Sequence, residues 1–155
     1  MTRVAKRGLL QQLVEPKPPT SKLRSGVRIA LGVMLAFAGT THLTVAREEF
    51  QAQVPEFVPL DADVVVVASG IVEITLGAAL ILLAKRRVPV GLVVALFFIA
   101  IFPGNIAQWV HARDGFGLDT DSKRFIRLFF QPVLVAAALW STAAWRDRPR
   151  LGARR

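Results

Sequence analysis

Long apolar runs separated by short polar stretches dominate the pattern of this chain. The clearest run is 64–84, VVVVASGIVEITLGAALILLA, in which Glu73 is the only residue that can ionise. About 20 apolar residues in an α-helix cross the hydrocarbon core of a bilayer, which is roughly 30 Å thick. Three further runs have similar lengths, at 29–46, 88–110 and 124–145. The pattern therefore predicts an all-α, integral membrane bundle of four transmembrane helices.

Prolines modify this picture in three places. Pro103 is expected to kink the third span and Pro132 to interrupt the fourth, because proline removes a backbone hydrogen bond from a helix. The polar stretch 47–63 carries five acidic residues and one basic residue. Its apolar part, 54–60, holds two prolines and is predicted to lie in the outer membrane interface and not to span it.

The division of the chain follows from these runs. We predict a basic cytoplasmic tail at 1–22, a membrane domain at 23–146 and a second basic tail at 147–155. The proline-rich first tail is either disordered or forms a short basic helix resting on anionic lipid. The chain has no cysteine, so any redox role would need a bound cofactor or a partner protein.

The net charge of +9 is distributed unevenly. Seven basic residues lie in 1–28, three in 85–87 and five in 146–155, which is 15 of the 20. Basic residues accumulate in cytoplasmic loops and tails, so both termini are predicted to be cytoplasmic. The basic excess is therefore interpreted as an orientation signal, and no nucleic-acid partner is expected.

An acidic residue near the bilayer midplane is costly, about 2.5–3.5 kcal/mol on insertion scales, and is usually functional. Glu73 is therefore the leading candidate for a pocket residue that exchanges a proton. With the predicted topology, each other span places polar groups in the outer half of the membrane, and a shared outward-facing pocket would bring them together. These candidate ligand-binding residues are His42, Asn105, Gln108, Arg127 and Gln131.

Plainer interpretations remain open for several of these residues. His42 could be an interfacial histidine, Arg127 could extend to the surface, and Asn105 and Gln131 could simply join helices. Glu73 lies too deep in its span for its side chain to extend to the membrane surface. We expect it to be protonated at neutral pH and hydrogen-bonded to Asn105 or Gln131, or to His42 if the first helix sits deep. Arg127 starts about 9–10 Å higher on ideal helices, too far for a direct pair.

Glycines are expected at helix contacts, because small residues allow two helices to approach closely. The candidates are Gly32 and Gly39 in the first span and Gly70 and Gly77 in the second. The usual phosphate-loop, dinucleotide, zinc-protease and hydrolase motifs are absent from the sequence. The spacing of histidines and Glu73 does not favour a metal site, and no metal is expected.

Five short motifs, in this order, resemble the DoxX family of small bacterial four-helix membrane proteins. They are Gly39-Thr-Thr-His42, Val54-Pro-x-x-x-Pro59, Ser69-Gly70-Ile-Val-Glu73, Phe102-Pro103-Gly104-Asn105 and Arg127-Leu-Phe-Phe-Gln131. The resemblance covers roughly 25–145 and departs from the family at Gly104, where many relatives have alanine. It implies a four-helix bundle in the bacterial cytoplasmic membrane.

The function implied by the resemblance is less specific. Some relatives are subunits of a thiosulfate:quinone oxidoreductase, and others belong to oxidative-stress complexes or receptor assemblies. Our leading hypothesis is a membrane subunit, itself non-catalytic, of a redox or oxidative-stress assembly, with a pocket for quinone or lipid. The alternatives are a scaffold or assembly factor without small-molecule chemistry and, more weakly, a small-solute or proton-coupled transporter. A redox-protein partner and a homo-oligomer are both compatible with these hypotheses.

Overall fold

A computed structural model describes residues 8–147 of the chain, and it contains no β-strand within that range. The helices are α1 (Leu9–Val14), α2 (Lys22–Leu43), α3 (Arg47–Gln51), α4 (Ala62–Leu82), α5 (Arg87–Val110), α6 (Asp121–Leu128), α7 (Phe130–Ser141) and α8 (Ala144–Asp147), with a 3₁₀ turn at Ala84–Arg86. The prediction of an all-α fold is confirmed.

Four helical stretches are long and apolar enough to cross a membrane: Lys22–Leu43, Ala62–Leu82, Ala84–Val110 and Asp121–Ser141. This confirms the number of predicted spans, while the first of them begins seven residues before the predicted start at Ile29. The earlier start has a local cause, because the Ser21 side chain caps α2 by accepting a hydrogen bond from the Arg24 amide.

The fourth span consists of two helices that meet at Phe129. The Phe129 amide bonds to the Ile126 carbonyl at 3.1 Å, which tightens the last turn of α6. Pro132 has no amide hydrogen to offer to the carbonyl four residues earlier, so the regular ladder ends here, as predicted. By contrast, α5 runs through Pro103 as one uninterrupted helix.

Helices α2 and α4 are antiparallel, and their backbones touch at two pairs of glycines. A Cβ atom added to Gly70 would lie 2.8 Å from the Gly39 carbonyl oxygen, and one added to Gly32 would lie 2.8 Å from the Gly77 carbonyl oxygen. Both distances are shorter than a side chain tolerates. The two helices therefore form a closely packed pair that depends on the absence of side chains at these four positions.

The two ends of this bundle differ. We call the end where α2 finishes and α4 begins the cap end. The opposite end, which contains the start of α2 and the end of α7, is called the terminal end.

The apolar core includes Phe98, which also reaches the functional site described below. Its buried members are Leu31, Leu35, Leu80, Val94, Ala95, Phe98 and Ala138.

Two buried arginines lie at the terminal end. Arg28 is buried and donates to the carbonyl of Ile81 at 3.3 Å. The side chain thereby satisfies a carbonyl of the last turn of α4, which has no partner within its own helix. Arg87 is only 2% exposed and pairs with Asp147 at 2.7 Å.

Asp147 also accepts from Arg146 at 2.7 Å. This hydrogen bond, assisted by the charges of Arg146 and Arg87, holds the pKa of Asp147 below its usual range. Asp147 is therefore ionised at neutral pH and is shared by two arginines. Most of the second predicted tail, from residue 148 onward, lies outside the described residues.

In the described part of the first tail, residues 9–14 form α1, and residues 15–21, which lead to α2, are not helical. The amide of Lys17 donates to the carbonyl of Lys85 at 2.8 Å, which attaches this segment to the turn between α4 and α5. A wholly disordered tail is therefore not observed for residues 9–17. The predicted tail residues 1–7 lie outside the described part.

Two loops cover the cap end, and we call them together the cap: residues 44–61, including α3, and residues 111–120. Arg113 joins them by donating to the Val54 carbonyl at 2.8 Å and to the Glu56 carboxylate at 2.8 Å. The Phe116 amide donates to the Glu49 carboxylate at 2.5 Å. The short helix α3 was not predicted, whereas 54–60 is not among the four candidate spans, as expected.

Candidate functional site

A cavity of about 670 Å³ lies between the spans beneath the cap. All four spans contribute to it, and so do both loops of the cap. Most of its wall is apolar, with contributions from Met34, Leu35, Val66, Phe98, Ile101 and Leu134. Small-molecule sites in proteins have this size and character, with few polar groups in a mainly apolar wall.

Five of the six polar residues singled out from the sequence line this cavity: His42, Glu73, Asn105, Arg127 and Gln131. They come from five different helices, which belong to all four spans, so only the assembled bundle brings them together. The sixth, Gln108, is buried but does not line the cavity. Its side-chain carbonyl accepts a hydrogen bond from the Gln53 amide at 3.1 Å, which connects α5 to the cap.

Glu73 and His42 lie against each other in the cavity. The carboxylate oxygen Oε2 of Glu73 lies 3.3 Å from Nδ1 of His42, and both side chains are almost fully buried. Nδ1 also lies 2.7 Å from the carbonyl oxygen of Ala38. A carbonyl can only accept, so Nδ1 carries its proton and directs it to Ala38. The contact with Glu73 is therefore electrostatic, and Oε2 lacks a well-aligned hydrogen bond.

Asn105 and Gln131 do not bond to Glu73, and this part of our expectation is wrong. The Asn105 amide donates to the Gln131 side-chain oxygen at 3.0 Å, and the Gln131 amide donates to the Phe98 carbonyl at 2.5 Å. The reason is lateral placement: α5 and α7 are neighbours, so their amides meet each other. The remaining expected partner, His42, does contact Glu73, at 3.3 Å, but without the expected hydrogen bond.

Arg127 reaches into the cavity, and its atom Nη1 is buried without a hydrogen-bond partner among the described residues. A buried charged donor without an acceptor is unfavourable, because its lost hydration is not replaced. The cavity therefore contains one unused donor on Arg127 and one unused oxygen on Glu73. Together they could bind the polar part of a ligand.

Aromatic residues of the cap close over His42. The ring of Phe50 stacks on the imidazole with 3.3 Å between centroids, and Phe116 packs edge-on against Phe50 at 4.5 Å. We did not predict either phenylalanine as a site residue. Nothing in the local sequence marks them, because both lie in loops whose contacts depend on distant parts of the chain.

The glycines of α2 and α4 also determine where His42 and Glu73 lie. A Cβ at Gly70 would lie 2.8 Å from Cβ of His42, and a Cβ at Gly39 would lie 3.0 Å from Cβ of Glu73. Each glycine therefore makes room for the polar residue of the opposite helix. In both helices the polar residue follows its glycine by three positions, as in Gly39-x-x-His42 and Gly70-x-x-Glu73.

Within residues 8–147, no group of three or more histidine, cysteine or acidic side chains is placed to hold a metal ion. The chemistry that the cavity offers is hydrogen bonding and proton exchange beside an extended apolar wall.

Residues 8–147 form a small helical fold with four helices of the length and hydropathy found in multi-pass membrane proteins, and with an amphipathic cavity beneath the cap. The chain belongs to a family described as a domain of unknown function, DUF8561, which matches residues 31–142. That range contains every residue that lines the cavity. No curated protein and no solved structure matches the chain.

Proposed function

We propose that this protein is a membrane subunit of a redox or oxidative-stress assembly and binds a quinone or lipid in its cavity. The observation that carries the proposal is the pair of unused polar atoms, Glu73 Oε2 and Arg127 Nη1, within a mainly apolar cavity. The resemblance to the DoxX family, some of whose members act with quinones, supports the same ligand class. The proposed location is the bacterial cytoplasmic membrane.

The polar atoms favour a head group with oxygen acceptors. Arg127 can only donate a hydrogen bond, so it requires an acceptor such as a carbonyl oxygen. Glu73 donates when protonated and accepts when ionised, so it can bind a carbonyl or a hydroxyl and exchange a proton with it. A quinone offers carbonyl and hydroxyl forms of the same oxygen atoms, and the apolar wall suits its tail.

The cavity is bounded in part by exposed apolar side chains, which indicates how a ligand enters. Met34 and Phe130 line the cavity and are also 41% and 58% exposed. Both belong to candidate spans, so this side of the cavity would face lipid. We infer that the ligand enters sideways from the bilayer, beneath the cap.

Mass spectrometry of the detergent-purified protein tests the proposed ligand. We expect a co-purified quinone or lipid at near-stoichiometric amount in the wild type. Arg127→Leu removes a charged donor, a loss of about 1.5–3 kcal/mol, and should weaken retention roughly 10- to 100-fold. Lys123→Leu is the matched control, because Lys123 is exposed one turn earlier on the same helix and does not line the cavity.

Two results would contradict the ligand proposal. One is a wild-type protein without any retained small molecule, and the other is equal retention in Arg127→Leu and Lys123→Leu. If a defined protein partner co-purifies instead, the scaffold hypothesis is favoured. That second candidate has its own support, since the side chains of Asn105 and Gln131 join α5 to α7 by hydrogen bonds.

The proposed orientation places both termini in the cytoplasm and the cap outside. It is supported by the concentration of basic residues in both tails and in the turn at 85–87. A reporter that is active only in the periplasm should be silent when fused after residue 86 and active after residue 116. The reverse pattern would overturn the orientation and leave the cavity proposal intact.

A further inference from the structure

A second hollow lies at the terminal end, on the opposite side of the bundle from the cap. It is a groove of about 310 Å³ between the first turns of α2 and the ends of α7 and α8. Ala136, Leu139 and Ala143 contribute its apolar wall. It shares no lining residue with the cavity beneath the cap.

Two arginines and two tryptophans surround this groove. The Arg24 guanidinium lies over the ring of Trp140, 5.2 Å from its centre, in a cation–π contact. Trp140 and Trp145 are 43% and 68% exposed. Arg146 completes the lining beside Trp145. Tryptophan concentrates at the level of lipid head groups, where its ring is partly apolar and partly wet.

Among residues 8–147, carboxylates balance the positive charge of the groove only in part. Within residues 8–147, Arg24 forms no ion pair with a carboxylate, and the segments 1–7 and 148–155 contain no acidic residue at all. Arg146 pairs with Asp147, but Asp147 is also the partner of the buried Arg87. Asp147 is therefore shared by Arg87 and Arg146, while Arg24 has no carboxylate partner among residues 8–147.

We propose that this groove binds an anionic phospholipid, with its phosphate between Arg24 and Arg146. The unbalanced positive charge attracts the head group, and the tryptophans lie at the level of the glycerol backbone. The wall formed by Ala136, Leu139 and Ala143 accommodates the start of an acyl chain. Basic pockets between membrane helices bind anionic head groups through this combination of charge and apolar surface. The proposal is independent of the ligand of the cavity.

Fluorescence quenching can report binding at this groove. The chain has three tryptophans. One of them, Trp109 of α5, lies beside Phe125 of α6 and can be replaced by phenylalanine. In that Trp109→Phe protein, emission comes from Trp140 and Trp145 alone. Reconstituted vesicles contain a brominated quencher lipid, either phosphatidylglycerol or phosphatidylcholine, at the same mole fraction. We expect stronger quenching by the phosphatidylglycerol.

Matched variants separate a specific site from general attraction to charge. Arg24→Gln should reduce the preference for phosphatidylglycerol at least about tenfold, because it removes a charged hydrogen-bond donor to the phosphate, which contributes about 1.5–3 kcal/mol. Arg86→Gln removes the same charge from an exposed position outside the groove and should reduce the preference no more than about fivefold, which corresponds to the general attraction of about 1 kcal/mol for one basic residue near the surface. Arg146→Gln changes the other arginine of the groove and should have the same effect as Arg24→Gln. It replaces Arg24→Gln in this test if the Arg24→Gln protein does not fold.

Three outcomes would overturn the proposal. Equal quenching by both lipids would show that the groove does not select charge. Equal losses in Arg24→Gln and Arg86→Gln would show attraction to the whole basic surface. Loss of the preference in inorganic phosphate, but not in chloride of the same ionic strength, would identify a site for the free anion.

Discussion

Replacing Glu73 with glutamine is expected to leave the protein folded and to abolish its ability to complement a deletion strain. Glutamine keeps the shape of the side chain and can still hydrogen-bond, but it cannot release a proton. Glu73 is 5% exposed and lies against His42 and an apolar wall, so its surroundings should accept the neutral amide. Only a function that requires proton exchange would then be lost.

Complementation at matched expression, together with a thermal melt in detergent, measures both effects. Glu73→Leu should also fail to complement, at a stability cost near 1 kcal/mol. We place the cost at the low end because Nδ1 of His42 already bonds to Ala38 and would not be left without a partner. Glu48→Gln, on an exposed position of the cap, is the control and should complement fully.

Full complementation by Glu73→Gln would exclude proton exchange at this position. The carboxyl group would then serve helix packing, and the scaffold hypothesis would become the leading one. Failure of Glu48→Gln as well would indicate that the assay responds to any loss of acidic charge.

Replacing Gly70 with leucine is expected to cause a large loss of stability, because Gly70 lies where α2 and α4 touch. Its Cβ would lie 2.8 Å from both the Gly39 carbonyl oxygen and Cβ of His42, so the helices must separate. Overfilling a packed contact costs about 1–3 kcal/mol, and the larger side chain of leucine points to the upper end. A lower melting temperature in detergent, relative to wild type, is the expected result.

Gly26→Leu is the matched control for this substitution. Gly26 lies in α2, yet a Cβ built there has no neighbour within 4 Å. Leucine favours helix over glycine by roughly 0.5–1 kcal/mol, so this variant should melt at the wild-type temperature or above it. An unchanged melting temperature for Gly70→Leu would mean that α2 and α4 do not touch in solution as they do in the structure.

The spans could be predicted from the sequence because their cause is local. A long apolar run forms a helix that satisfies its own backbone hydrogen bonds, whatever its neighbours are. The ends of the helices depend on capping residues as well as on hydropathy. Ser21, which follows two prolines, caps α2 and marks its early start, which hydropathy alone did not predict. The glycine pairs were likewise visible, since their spacing places them on one face of each helix.

The partners of Glu73 could not be predicted in the same way. Depth along a helix can be read from residue number, but the order of helices around the bundle cannot. Asn105 was at a plausible height, yet it faces Gln131 because α5 packs beside α7. The cap was still less predictable, since Arg113 reaches Val54 across more than fifty residues of sequence.

The exposed apolar side chains at the cavity, Met34 and Phe130, have a consequence for how binding should be measured. A ligand that enters from lipid is present at its mole fraction in the bilayer, and its concentration in the surrounding buffer matters only through partitioning. Each methylene of the tail shifts that partitioning by about 0.8 kcal/mol, before the protein is involved. The membrane would then select ligands by their tails, leaving the cavity to discriminate between head groups, and titrations at different lipid-to-protein ratios would separate the two contributions.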